Sequence, residues 1–142
     1  GVFNLGHRNP ELMQILIQSM MQRNPLKLVS SDTVQDAMDT MYANHVSALP
    51  VVDAGECLVG IVSLNDLSAI ADKRGSDSVS AVMTESPVTV DLEESLRESA
   101  RLMIQHQVHH LPVVSKDRRL VGVVSSIDFV RLAADGVLRA TP

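Results

Sequence analysis

Hydrophobic and polar positions follow the same order twice along the chain. In each copy a short extended run follows a proline, Leu26–Val29 in the first copy and Val88–Val90 in the second. An amphipathic segment comes next in each copy. Counted from Val34 in the first copy and from Leu96 in the second, the residues at i, i+3, i+4, i+7 and i+8 are apolar, and Ser99 is the one exception. This spacing places the apolar residues on one face of an α-helix.

Two short runs rich in β-branched residues then follow in each copy and predict a pair of strands. The predicted strands are Leu49–Val52, Leu58–Ser63, Leu111–Val114 and Leu120–Ser125. A second helix is predicted to start near Asn65 in the first copy and near Ile127 in the second. The pattern therefore predicts an α+β fold with the order β-α-β-β-α twice. Because a copy of about 50 residues buries its sheet poorly alone, we expect the two copies to pack as one pseudo-two-fold module.

The two copies are related by a shift of 62 positions without a gap. Residues 25–71 and their counterparts share 14 identities over 47 positions, where unrelated segments of this composition would share roughly 3 or 4. The expected organisation is an N-terminal helical segment (1–18), a first repeat (19–71), a linker (72–78), a second repeat (79–134) and a C-terminal tail (135–142).

The segment before the first repeat predicts a further helix. Asn9 and Pro10 suit its first positions, and the helix is expected to run to about Arg23. Its apolar residues cover most of its circumference, which is typical of a helix buried on its own module or at a dimer contact. Asp91 and Glu94 predict a capping box at the start of the second repeat's first helix.

Composition and charge narrow the class of protein. The chain is 45% hydrophobic with 2% aromatic residues, so its core must be aliphatic, and a net charge of −5 argues against a nucleic-acid surface. Its one cysteine, Cys57, cannot form an internal disulfide. The N-terminus lacks a signal-peptide profile, and no apolar run approaches the ~20 residues that span a bilayer. A cytoplasmic location without a membrane span is expected.

The motif Gly-apolar-apolar-Ser-x-x-Asp occurs in both copies, at 60–66 and at 122–128. It places a serine at the end of a strand and an aspartate in the first turn of a helix, where unpaired backbone N–H groups favour a phosphate. The serine hydroxyl can donate to that phosphate, and the carboxylate can accept from two ribose hydroxyls. The alternative is that Ser and Asp only cap the helix.

The two copies resemble CBS domains, and their pairing resembles a Bateman module, over about residues 19–134. The features that carry the resemblance are Val82–Thr84 before Ser86–Val90, His110–Val114, Leu120–Ser125 and Asp128, with their counterparts in the first copy. The resemblance implies two clefts, each able to take an adenosine derivative such as AMP, ADP or ATP, and a partner that reads their occupancy.

The resemblance also implies the roles of particular residues. Asp66 and Asp128 are expected to hold ribose hydroxyls, while Ser63 and Ser125 contact phosphate. The residues expected to frame the adenine or form the other wall are Lys27, Leu28, Thr89, Val90, Leu49, Pro50, Leu111 and Pro112.

The second cleft differs from the first, because His109 and His110 stand where the first copy has Ser47 and Ala48. A histidine can donate to phosphate and gains charge as the pH falls toward 6. A metal site is disfavoured, since neighbouring strand residues point to opposite faces. Contact of one histidine with phosphate and an ordinary surface role both stay open, and His110 makes the second cleft the better candidate for a phosphorylated ligand.

The sequence holds no nucleophile–base pair, no Walker-type loop and no metal-ligand cluster, so we expect no enzymatic activity and no required cofactor. The expected function is a regulatory module that senses an adenine nucleotide, acts as a homodimer through its helices and signals to an effector protein. The alternatives are a dimerisation module without a nucleotide, and the regulatory part of a larger enzyme or transporter.

Overall fold

The structure, a computed structural model, describes residues 17–135. The strands are β1 (Gln22–Arg23), β2 (Leu28–Val29), β3 (Ala48–Val52), β4 (Leu58–Ser63), β5 (Thr84–Glu85), β6 (Val90–Asp91), β7 (His110–Val114) and β8 (Leu120–Ser125). The α-helices are α1 (Val34–Asn44), α2 (Leu64–Ser68), α3 (Ala71–Arg74), α4 (Leu96–His106) and α5 (Ser126–Ala134). Both repeats thus have the predicted β-α-β-β-α order. No helix in the described part of the chain is long and apolar enough to cross a membrane.

The described residues form two compact units, and each unit takes one edge strand from outside its own repeat. The first-repeat unit (residues 26–87 and 116–120) contains a sheet in the order β2-β3-β4-β5. The second-repeat unit (residues 17–25, 88–115 and 121–135) contains a sheet in the order β1-β8-β7-β6. The strand at the start of each repeat therefore completes the sheet of the other repeat.

The motif glycines lie where these edge strands approach. A Cβ atom on Gly60 would lie 2.5 Å from the sulfur of Met83 and 2.8 Å from the backbone oxygen of Thr84. The space at Gly122 is similarly limited, with the sulfur of Met21 at 2.6 Å. Glycine at these two positions is therefore required by the packing of β5 on β4 and of β1 on β8.

The first helix of each repeat covers an aliphatic core, as its periodicity predicts. The buried residues of α1 are Val34, Ala37, Met38 and Met41, and those of α4 are Leu96, Ser99 and Met103. The buried hydroxyl of Ser99 donates to the backbone oxygen of Ser95 at 2.9 Å, so its polar group is satisfied.

The capping box predicted from Asp91 and Glu94 is wrong. Ser95 is the N-cap of α4, and its hydroxyl oxygen accepts from the backbone N–H of Glu98 at 3.1 Å. Asp91 instead accepts from the backbone N–H of Glu93 at 2.8 Å in the preceding turn. Both serine and aspartate suit an N-cap, and the local sequence did not decide between them.

The predicted N-terminal helix lies mainly outside the described residues, and its expected extension to Arg23 is wrong. A single 3-10 turn spans Ile17–Ser19, followed by β1. Ile17 is fully buried, and its backbone N–H donates to the oxygen of Glu94 at 2.8 Å. The pairing of β1 with β8 then holds the chain in an extended conformation.

The segment predicted as a linker includes all of α3 except its first residue, and it contacts the start of α1. Val34 and Gln35 donate their backbone N–H groups to the oxygens of Asp77 and Gly75, each at 2.9 Å. These bonds satisfy two of the donors that the first turn of a helix leaves unpaired.

Candidate functional site: the two strand-to-helix junctions

Each unit contains one junction at which the last strand of the repeat turns into a helix. In the first-repeat unit β4 ends at Ser63 and α2 follows at once, and in the second-repeat unit β8 ends at Ser125 before α5. The first residue of each helix donates its backbone N–H to the backbone oxygen of the residue just before the neighbouring strand. Leu64 donates to Ser47 at 2.8 Å, and Ser126 donates to His109 at 2.9 Å. These equivalent bonds fix both turns in the same way.

In the first junction Ser63 acts as a helix cap and Asp66 faces solvent. The Ser63 hydroxyl oxygen accepts from the backbone N–H of Asp66 at 3.1 Å. Within the described residues, no hydrogen bond or ion pair holds the Asp66 carboxylate. This carboxylate is therefore available to accept hydrogen bonds from a ligand.

In the second junction the serine and the aspartate bind each other. One carboxylate oxygen of Asp128 accepts from the backbone N–H of Ser125 at 2.8 Å and from its hydroxyl at 3.1 Å. The other oxygen lies 3.5 Å from a guanidinium nitrogen of Arg131, and the Asp128 side chain is only 19% exposed. A ligand hydroxyl at this junction would have to share the carboxylate with these donors.

His110 begins β7 beside the second junction, with its side chain only partly exposed. Partial burial of the ring lowers the pKa of His110 below its ordinary value, and the neighbouring His109 lowers it further, while Asp128 opposes the shift. The expectation that His110 gains charge as the pH approaches 6 therefore needs revision. In this structure His110 remains neutral to a lower pH than an ordinary histidine.

The residues predicted to frame the adenine differ in accessibility. Lys27 is half-buried and forms an ion pair of 2.7 Å with Glu56, and Thr89 is also half-buried. The other six residues of this set have buried side chains: Leu28, Leu49, Pro50, Val90, Leu111 and Pro112. Ligand contact at those six positions would have to go through the backbone.

Two contacts of these residues were not anticipated from the sequence. Arg131 lies three positions after Asp128 on α5, a spacing that places both on one helix face, and this signal was present in the sequence. The pairing of Lys27 with Glu56 joins residues far apart in sequence, and no local pattern predicts it.

The junctions offer hydroxyl and carboxylate groups near a helix start, where a carboxylate can accept from a diol and a hydroxyl can donate to a phosphate. Among residues 17–135, no group of three or more His, Cys, Asp or Glu side chains could hold a metal ion.

Comparison with curated proteins finds relatives over most of the chain. It is 36% identical over 100 residues to inosine-5'-monophosphate dehydrogenase of Methanocaldococcus jannaschii, a match that covers 70% of this chain and 20% of the relative. It is 30% identical over 133 residues to a CBS domain-containing protein of Dictyostelium discoideum, with 84% and 92% covered. The chain therefore spans about a fifth of the dehydrogenase and most of the second relative.

Solved structures share the fold. The structure of CBSX2 in complex with AMP is 31% identical to this chain with a TM-score of 0.77, over 84% of this chain and 96% of that one; CBSX2 is a CBS-pair protein from Arabidopsis thaliana. The CBS domain pair of protein MJ0100, in complex with 5'-methylthioadenosine and S-adenosyl-L-methionine, is 25% identical with a TM-score of 0.76, over 86% and 98%. The family model of the CBS domain matches residues 17–72 and again residues 79–135. The chain therefore belongs to the CBS domain family, of which it contains a tandem pair.

Proposed function

We propose that this chain is a regulatory module that binds an adenosine derivative, such as AMP, ADP or ATP, and transmits its occupancy to a partner protein. The observation that carries the proposal is the duplicated junction, which presents a serine and an aspartate at the start of a helix in both repeats. The similarity to a protein whose structure holds AMP supports the choice of ligand class.

In this proposal the carboxylates of Asp66 and Asp128 accept hydrogen bonds from ribose hydroxyls, and the Ser63 hydroxyl donates to phosphate. The Ser125 hydroxyl also donates to phosphate, after it has turned away from the Asp128 carboxylate that accepts from it in this structure. His110 adds a neutral N–H donor beside the second junction. The nucleotide is a regulatory ligand, and the module needs no other cofactor.

The same proposal includes a homodimer in the cytoplasm and no catalysis by the module itself. A second candidate function is the regulatory part of a larger enzyme, which is favoured by the match to only 20% of the length of the dehydrogenase. A dimerisation module that binds no nucleotide is the remaining alternative, and ligand titration separates it from the sensor.

The test is a titration of the purified chain with AMP, ATP, 5'-methylthioadenosine and S-adenosyl-L-methionine, followed by calorimetry and by thermal unfolding. A specific ligand at 100 times its dissociation constant should raise the free energy of unfolding by about 2.7 kcal/mol. If none of these four compounds binds, the proposed ligand class is wrong.

Substitutions at the junctions localise the binding. Asp66→Asn and Asp128→Asn each remove the charge from one carboxylate, and loss of a charge-assisted hydrogen bond of about 1.5–3 kcal/mol corresponds to a roughly 10- to 100-fold weaker affinity at that junction. Asp72→Asn is the matched control, because Asp72 is an exposed aspartate on α3 that belongs to neither Gly-apolar-apolar-Ser-x-x-Asp motif. Equal affinity in all three variants would contradict the assigned roles.

A further inference from the structure

The two junctions differ in the side chain that stands one helical turn after the aspartate of the motif. At the second junction this residue is Arg131, and at the first it is Ala69, 62 positions earlier in the chain. The backbone is helical at both positions, so each side chain lies on the same helix face as the aspartate three residues before it. The second junction therefore has a cation where the first has a methyl group.

The Asp128 carboxylate is divided between two neighbours. Its oxygen Oδ2 accepts both hydrogen bonds from Ser125. The other oxygen, Oδ1, lies 3.5 Å from the Arg131 guanidinium, which is longer than the roughly 2.7–2.9 Å of a charge-assisted hydrogen bond. Oδ1 is therefore the oxygen that can accept from a ribose hydroxyl, and a sugar bound there lies next to the Arg131 guanidinium.

Arg131 can leave Asp128 at small cost. Its side chain is 72% exposed, and surface ion pairs of this kind are weak and screened by salt. The pair of Arg101 with Glu98 on α4 has the same spacing and a similar distance of 3.4 Å. Arg131 differs from Arg101 in its partner, because Asp128 is the carboxylate of the motif.

Charge also separates the two junctions. No ion pair within residues 17–135 neutralises Asp66, so a phosphate at the first junction meets a carboxylate of like charge, and the hydrogen bond from Ser63 has to offset the repulsion. At the second junction the guanidinium of Arg131 compensates the charge of Asp128. A guanidinium has five N–H donors, which leaves donors for a phosphate as well.

Arginine matches a phosphate in geometry as well as in charge. Its planar fork can donate two parallel hydrogen bonds to two phosphate oxygens. Adenosine without a phosphate offers no such acceptor at its 5' end. A contact with Arg131 would therefore depend on the phosphate, and not on the base or the sugar.

We propose that Arg131 makes the second junction selective for phosphorylated adenosine derivatives. When such a ligand binds, the guanidinium turns from Asp128 to the phosphate, and the carboxylate accepts from the ribose. The first junction, with Ala69 in this place, distinguishes AMP from adenosine much less. The inference rests on the proposed function and adds to it a different ligand preference for each junction.

The test compares the dissociation constants of AMP and adenosine by calorimetry, one junction at a time. Asp66→Asn weakens the first junction, so this variant reports on the second, where AMP should bind roughly tenfold more tightly than adenosine. Adding Arg131→Gln should reduce this preference at least about fivefold by weakening AMP binding, while adenosine binding changes by less than about twofold.

Two variants and a salt series serve as controls. Arg101→Gln should leave the preference unchanged, because Arg101 also pairs with an acidic residue three positions before it but belongs to neither junction. Arg131→Lys keeps the charge and loses the planar fork, so it should retain part of the preference. Raising NaCl from roughly 50 to 500 mM should weaken AMP binding and leave adenosine binding constant, because salt screens only the charged contact.

Ala69→Arg tests the inference in the opposite direction. Ala69 is exposed and its backbone is helical, so an arginine side chain fits at this position. In an Asp128→Asn background, which reports on the first junction, this substitution should raise the preference for AMP over adenosine roughly fivefold. Circular dichroism checks that every variant is folded.

Three results would overturn the inference while leaving the proposed function intact. They are equal affinities of AMP and adenosine in Asp66→Asn, a preference that Arg131→Gln leaves unchanged, and an equal loss of both ligands in Arg131→Gln, since the side chain would then only shape the junction. If the wild-type protein binds neither AMP nor adenosine, the proposed function fails and the inference fails with it.

Discussion

Replacing the motif glycines by alanine tests whether edge-strand packing explains them, and the two positions should respond differently. At Gly60 the added methyl group would meet the backbone oxygen of Thr84 at 2.8 Å, in addition to the side chain of Met83. At Gly122 the nearest backbone atom, the oxygen of Gln22, lies at 3.0 Å. A methionine side chain can move aside, but a strand oxygen moves only with its strand.

The expected magnitude follows from two opposing effects. Overpacking costs about 1–3 kcal/mol, while replacing glycine by alanine recovers about 0.4–1 kcal/mol through the unfolded chain. Neither glycine has a positive φ angle, so alanine is not strained by the backbone itself. Gly60→Ala should therefore lower the free energy of unfolding by about 1–2 kcal/mol, and Gly122→Ala by less than about 1 kcal/mol.

Urea unfolding followed by circular dichroism measures both values, and thermal unfolding should show a decrease of about 3–6 °C for Gly60→Ala. Met83→Ala has a cost of its own, because Met83 packs against the core of this unit. In the Met83→Ala background Gly60→Ala should cost less than in the wild-type protein, but not nothing, because the contact with Thr84 remains. If Gly60→Ala is as stable as the wild-type protein, or if Gly122→Ala loses more, the packing explanation is wrong.

Two further predictions concern pH. Burial and the nearby carboxylates of Asp91 and Glu98 raise the pKa of Glu94. The folded protein therefore binds this proton more tightly than the unfolded chain does, and the stability that this group contributes is lost as the pH rises above 4.5. Glu94→Gln should therefore stabilise the protein at pH 7 but not at pH 3, and equal effects at both pH values would contradict this assignment. The pKa of His110 is lowered, so the unfolded chain takes up its proton first and stability should decrease as the pH falls below 6.5. His110→Gln should reduce that decrease in chemical denaturation from pH 7 to pH 5, and an unchanged slope would argue against the shift.

Local patterns predicted most of the elements well. The strands predicted at Leu58–Ser63 and Leu120–Ser125 have those bounds in the structure, and the helix predicted from Val34 begins there. Alternation and helical periodicity depend on neighbouring residues, so a sequence contains this information directly. The pairing of β1 with β8 depends on residues about 100 positions apart, and no local pattern specifies it.

The candidate site was predictable in its residue types but not in its contacts. The serine and aspartate of each motif lie at the start of a helix, as expected. Matching motifs nevertheless differ in hydrogen bonding. Asp128 accepts from the backbone N–H and the hydroxyl of Ser125 in a capping box, whereas no such bond holds the Asp66 carboxylate among residues 17–135. Arg131 and His110 lie near the second junction only, and neither residue is part of the motif.

The exchange of edge strands between the repeats has a consequence for synthesis on the ribosome. The sheet of the first repeat cannot be completed until Thr84 and Glu85 have emerged, after the first repeat itself has been made. β1 emerges first of all the described strands, yet its partner β8 is the last. Closing so long a loop is slow, so final assembly of the second sheet should wait until nearly the whole pair has been translated. A nascent chain stopped between the repeats would therefore carry an unfinished sheet edge at β4 and an unpaired β1.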